Sequence, residues 1–232
     1  VSVGQEGLTY DLPGVLDLGE VVYWRVDEVN DLEADSPWKG DVWTFKIADY
    51  IIVEDFEDYN DFPPDEVWNT WIDGFGDSTN GSTAGYPDPD FVGGGHYMED
   101  TIVHDGTWSM PLFYNNVAGL SEVTRALDAS NNDWTEEGVV TLAVWYYGDA
   151  ANDAEPMYVA VNGNALAENP DLNAAVVTEW TRWDTPLQVF ADQGVNLSNV
   201  SSMTIGFGNK TNPLAGGAGH VFFDDIRLHV PE

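Results

Sequence analysis

A chain of 232 residues carries 41 Asp and Glu against 7 Lys and Arg, for a formal net charge of −34; this excludes nucleic acid and anionic membranes as partners, since phosphate binding needs Lys and Arg. There is no cysteine, which excludes disulfides, thiol catalysis and Cys–zinc sites but leaves export open. The longest apolar run, Val139 to Tyr147, falls well short of the ~20 residues of a membrane span.

Of the acids, 26 are Asp, a residue of loops and ligand sets. Such a field is costly to fold unless salt screens it or cations bind it. Saline surroundings and a structural Ca²⁺ are therefore expected. The chain opens at Val1 with strand-type residues and no leader-like segment. It reads as a mature or trimmed piece of a longer secreted or cell-surface protein.

Helical periodicity is nearly absent. Short β-rich runs bounded by Gly, Asn, Asp and Pro recur throughout, predicting an all-β chain of sandwiches. Residues 1–48 form a first unit in which Glu20 to Asn30 and Gly40 to Ile47 alternate, separated by a polar loop with Asp31, Glu33, Asp35 and Pro37. The run Val22-Tyr-Trp-Arg-Val-Asp27, followed by Val42-Trp-Thr-Phe45, resembles the last strands of a fibronectin type III-like domain. That match covers only the back half of such a domain. So few strands cannot bury two sheet faces, so completion by missing chain or by a neighbour is expected.

Residues 49–232 form the main domain. Strands are predicted near 51–58, 100–104, 107–114, 121–128, 138–147, 156–162, 180–190, 201–208 and 219–229, with one short helix at 172–177. That set suits a two-sheet antiparallel jelly-roll sandwich. Trp108, Met110, Leu112 and Tyr114 alternate as core residues do, and Trp183, Leu187 and Val189 are also expected inside. In Val139 to Tyr147, Trp145 and Tyr147 fall on the face opposite Leu142, Val144 and Tyr146. By the same alternation Tyr158 and Asn162 point away from Met157, Val159 and Val161. Outward Trp145, Tyr147 and Tyr158 would make a platform for sugar rings, with Arg125 adding bidentate hydrogen bonds. The alternative is that loops or the first unit cover this face and the rings are packing.

The order of four segments, Val53-Glu-Asp-Phe-Glu-Asp-Tyr59, His104-Asp-Gly-Thr-Trp-Ser-Met110, Ser202 to Gly208 and Val221-Phe-Phe-Asp-Asp-Ile-Arg-Leu228, resembles the jelly-roll carbohydrate-binding modules appended to secreted bacterial glycan-degrading enzymes. The resemblance implies that the opening and closing strands meet at a structural Ca²⁺. Glu57 and Asp224 would be its ligands, with Asp55 and Asp225 as reserves, because adjacent acids leave the register open. Alternation gives an independent argument: Phe222, Asp224, Ile226, Leu228 and Val230 share a face. An ionised Asp224 among apolar neighbours needs a cation or strong donors. Metal is one solution; hydrogen bonds from backbone amides are the other. The loop Asp73 to Gly81 lacks EF-hand spacing and reads as turn chemistry.

No GxSxG elbow, HExxH pair or phosphate loop is present, so the chain is expected to be non-catalytic. The function read from the sequence is a calcium-stabilised carbohydrate-binding or adhesion module whose partner is a polysaccharide or cell-surface glycan. The alternative is a structural subunit of an extracellular filament, sheath or S-layer, assembled with neighbouring copies of itself.

Overall fold

The structure, a computed structural model, describes Gly7, Thr9, Tyr10, Leu12 and residues 14–231. The chain divides into two units, Val1–Tyr50 and Ile51–Glu232.

In the first unit, β1 (Val21–Trp24) and β2 (Trp43–Lys46) form an antiparallel hairpin with Trp24 opposite Trp43. The two indoles stack 5.8 Å apart, and a single bridge joins Glu28 to Trp38. None of this unit's described residues is buried. Tyr23 is 70% exposed and Trp43 59%. A lone hairpin of this kind is marginal in water.

The second unit continues with β3 (Tyr50–Glu54), β4 (Trp71–Ile72), β5 (Thr83–Ala84), β6 (Met110–Asn115), β7 (Leu120–Ala126), β8 (Thr141–Tyr147), β9 (Met157–Val161), β10 (Ala165–Glu168), β11 (Thr181–Pro186), α1 (Gln188–Asp192), β12 (Ser202–Gly208) and β13 (Ala218–His229). These strands build the expected antiparallel two-sheet sandwich. One sheet has the order β10-β9-β12-β7-β4 and the other β11-β8-β13-β6-β5, with β3 also on β13. The core lies between them. Val123, Val159 and Ile205 of the first sheet face Leu112, Leu142, Val144 and Phe223 of the second, all essentially inaccessible. Tyr114 stacks on Phe207 across the gap at 4.3 Å, a contact worth about 0.5–1.5 kcal/mol beyond its buried area.

Four local expectations change. The predicted strand 51–58 ends at Glu54, ahead of Phe56 with its left-handed φ of 61°, so Asp55 and Glu57 lie off it. Residues 100–104 form no strand but belong to a looped segment. The predicted helix at 172–177 is a single 3-10 turn, Ala174–Val176. The predicted strand 180–190 stops at Pro186, which lacks the N–H that would extend the ladder, and α1 follows.

The closing strand carries the largest correction. Phe222, Phe223 and Asp224 pair with Tyr147, Tyr146 and Trp145; the register then shifts, so that Arg227 pairs with Ala143 and Leu228 with Leu142. Asp225 takes a left-handed φ of 46° at this bulge. The extra residue resets the alternation. Val221 and Phe223, then Ile226 and Leu228, point into the core, while Phe222 and Asp224 lie on the outer face beside Tyr147 and Trp145. Asp224 is fully buried, but not on the core face.

Candidate functional site

Asp224 is covered by the loop that contains His104 to Trp108. Its Oδ2 accepts the backbone N–H groups of His104 at 2.9 Å and Asp105 at 3.3 Å, and its Oδ1 that of Asp225 at 2.8 Å. Burial pushes this carboxyl up to about 7, and the Asp225 charge adds to the rise against the lowering effect of the amides. Glu57 holds the other end of the loop: its Oε1 accepts the N–H groups of Thr107 at 2.8 Å and Trp108 at 2.9 Å. Between them Gly106 has a φ of 72°, and any Cβ there would collide with the Glu57 carboxylate. Asp55 Oδ1 accepts from the Glu57 amide at 3.3 Å. Asp225 meets His104 Nδ1 at 2.5 Å and accepts a short hydrogen bond from Arg227.

Three of the expected calcium ligands, Glu57, Asp224 and Asp225, thus gather around one loop, where each already accepts hydrogen bonds. Ca²⁺ takes six to eight oxygens. Here each of the four carboxylates is already turned onto an N–H or ring nitrogen, and Asp225 is paired with a guanidinium. Among the described residues, no group of three or more His, Asp and Glu converges as a metal site would require.

The outer face of the six-stranded sheet carries a continuous series of ring contacts. Trp145 stacks on His104 at 3.9 Å. His104 meets Trp180 at 5.6 Å, Trp180 meets Tyr147 at 5.8 Å, and Tyr147 meets Phe222 at 6.3 Å. Phe222 then meets His220 at 5.3 Å, His220 meets Phe113 at 5.4 Å, and Phe113 meets Tyr86 at 5.9 Å. The series runs from Trp180, beside the edge strand β11, to Tyr86, just past the edge strand β5. Three inter-strand steps from β11 to β6 span roughly 14 Å. All but Phe222 are partly exposed. Three rings are each accompanied by a carboxylate: His104 by Asp225, His220 by Asp149 at 3.9 Å, and the Tyr86 hydroxyl by Glu99 in a short hydrogen bond. At the β6 side an open cleft of about 910 Å³ adjoins the stripe, lined by Phe75, Ser78, Asn80, Phe113, Val117 and His220.

Of the five residues expected to bind ligand, this face holds Trp145 and Tyr147. Tyr158 lies on the other sheet and, contrary to expectation, is 1% exposed. Its ring lies across Gly206, which has no room for a Cβ, and its hydroxyl donates to Glu122 Oε2 at 2.8 Å. Burial, then the Glu122 charge, pushes its phenol well above the usual range. Arg125 points inward, donating to Val53 O at 2.8 Å and Glu54 Oε2 at 2.5 Å. The Glu54 carboxylate also accepts from Tyr59 and Trp71. Asn162, with a φ of 51°, is a turn residue between β9 and β10 whose side chain accepts from Ser201 and Ser202. These three belong to other parts of the fold. Sequence reasoning missed Tyr86, His104, Phe113, Trp180, His220 and Phe222. Cross-strand register brings Phe113, His220 and Phe222 together, and loops deliver Tyr86, His104 and Trp180; the local signals were Phe222, two residues from Asp224, and the segment that begins at His104.

No family model matches the sequence, and a search of curated proteins found no match. The structure is similar to the family 11 carbohydrate-binding module of the cellulosomal cellulase Lic26A-Cel5E of Clostridium thermocellum, at 12% identity over 78% of this chain and 95% of that one, with a TM-score of 0.46. It is similar to an exo-β-agarase at 11% identity over 78% of this chain but 25% of that one, with a TM-score of 0.49. It is also similar to carbohydrate-binding modules from the β-sandwich superfamily, described as promiscuous in specificity, at 9% identity over 90% and 74% of the two chains, with a TM-score of 0.46.

Proposed function

We propose that the Ile51–Glu232 unit is a non-catalytic carbohydrate-binding module of an exported protein, taking an uncharged polysaccharide on the outer face of its six-stranded sheet. The observation that carries this reading is the aromatic stripe from Trp180 to Tyr86. Every ring of the series except Phe222 is partly exposed, the side chains of His104 and His220 by 22% and 30%. Aromatic faces carry partial negative charge and attract C–H-rich surfaces such as the faces of sugar rings. Of the carboxylates beside the rings, Asp149 adds an acceptor for hydroxyl groups, while Glu99 and Asp225 are buried and already paired. All three also repel polyanions, as does the net charge of −34, so an uncharged glycan fits better than an acidic one. Hydrolysis needs two carboxyl groups opposed across a cleft, and binding by ring faces needs neither. Retarded migration in native gels containing neutral polysaccharides, lost in Trp180→Ala, is the expected result; unretarded migration across a broad panel of such polymers would contradict the reading.

A second reading, a subunit of an extracellular filament or sheath, is favoured by one observation in the first unit. Its hairpin buries none of its described residues, and such a hairpin gains stability from a further strand or layer. In this reading a neighbouring copy completes it as a fibronectin type III-like sandwich. Light scattering of the whole chain tests it, with growth of polymers expected and strict monomers contradicting it.

A further inference from the structure

The position at which a structural cation is expected is occupied by hydrogen-bond donors. Five backbone N–H groups converge on two carboxylates: those of His104, Asp105 and Asp225 on Asp224, and those of Thr107 and Trp108 on Glu57. The positive ends of these N–H dipoles point at the lone pairs a metal ion would use, and Arg227 brings a further positive charge to Asp225. We infer that Glu57 and Asp224 form a cation-independent clasp that fixes the loop containing His104 to Trp108 by charge-assisted hydrogen bonds, and thereby positions the His104 ring on Trp145.

The geometry of the loop follows from this arrangement. Carboxylate acceptors make shorter and stronger hydrogen bonds to backbone amides than neutral acceptors do. Glu57 is exposed and Asp224 buried, so one anchor lies under the loop and the other at its outer end. The turn between them passes through Gly106, where only glycine leaves room for the Glu57 carboxylate. With both ends held, His104 has its ring on Trp145 and its Nδ1 at Asp225, and its other contact is to Trp180. Glu57 itself lies outside the ring series. It is a positioning residue: loss of its carboxylate frees the loop and disorders one end of the stripe without removing any ring. The link to ligand affinity rests on the carbohydrate-binding reading above; the clasp and its independence from metal do not.

Three measurements on the whole chain test the inference. Thermal melts with excess EDTA, with added calcium and with ionic-strength-matched sodium chloride should coincide. An EDTA-induced fall of about 5 °C or more, reversed by calcium, would overturn cation independence. In NMR spectra the His104 ring protons, placed against Trp145, should show a large ring-current shift that collapses in Glu57→Ala and is retained in Glu57→Gln, whose amide oxygen still accepts. An unchanged shift in Glu57→Ala would overturn the positioning role. Affinity for a neutral polysaccharide that binds the wild-type protein should fall several-fold in Glu57→Ala and recover in Glu57→Gln. Equal affinity in all three proteins would overturn the link to the site. If the wild-type protein binds no glycan, the carbohydrate-binding reading and that link fail together, and the melts and His104 spectra still decide the clasp.

Discussion

His104 lies on the Trp145 ring with centroids 3.9 Å and planes 23° apart. The face of Trp145 that would otherwise be offered to a ligand is therefore occupied by a side chain of the clasped loop. Trp145→Ala is expected to cost roughly 1–3 kcal/mol of stability, less than the 3–5 typical of a fully buried Trp, and to lower glycan affinity through the loop. Trp180→Ala, by contrast, should lower affinity with a much smaller change in the urea midpoint. Parallel unfolding and binding measurements check this; equal destabilisation by the two substitutions would show that the rings are packing.

Asp224 links stability to pH. Its carboxyl is raised to about 7 in the folded protein, first by burial and then by Asp225, whereas in the unfolded chain it titrates near the ordinary value of about 3.9. A raised acid binds its proton more readily when folded. Its ionisation therefore penalises the fold above pH 7, and the penalty is relieved as pH falls towards 4. Urea unfolding at pH 5 should show roughly 1–3 kcal/mol more stability than at pH 8, a range that allows for partial solvation. Asp224→Asn, which keeps an acceptor for the amides, should flatten the difference; an equal slope in both proteins would assign it to the general relief of negative charge.

Arg125 is assigned to the interior by its hydrogen bonds to Val53 and Glu54. Glu54 is 5% exposed, and removing one partner of a buried ion pair typically costs about 3–5 kcal/mol. Arg125→Met should destabilise by that order in urea titrations and leave glycan affinity unchanged in the folded fraction. Loss of affinity at unchanged stability would restore the ligand role expected from sequence.

Gly206 tests the other sheet. A Cβ there meets the Tyr158 ring, so Gly206→Ala should cost about 1–3 kcal/mol through overpacking without altering affinity for a neutral polysaccharide. Calorimetric binding with melting curves checks both halves, and a change in affinity with no change in stability would place ligand on that sheet.

Alternation was a reliable guide wherever a strand ran without interruption. In β8, Leu142, Val144 and Tyr146 point inward, and Trp145 and Tyr147 outward, as the period of two requires. The same rule failed in β13, because the bulge at Asp225 inserts one residue and reverses the faces on either side of it. Tyr158 alternates outward but is buried by lying along Gly206, a packing choice that spacing cannot show. The acidic motif at Asp224 did mark a place where charge meets burial. Whether amides or a cation satisfy it depends on a loop 120 residues earlier in the chain. The stripe was the least legible feature, since its rings come from strands and loops distant in sequence and meet only through sheet register and loop placement.

The most direct test of the central claim is an equilibrium titration of an uncharged polysaccharide against the wild-type protein, Trp180→Ala and Ile72→Ser. Ile72 lies on β4 in the opposite sheet and is 59% exposed, so its substitution leaves the stripe intact. The aromatic stripe predicts matching affinities for the wild type and Ile72→Ser, and about a tenfold loss for Trp180→Ala. Binding that survives Trp180→Ala and is lost in Ile72→Ser would contradict it.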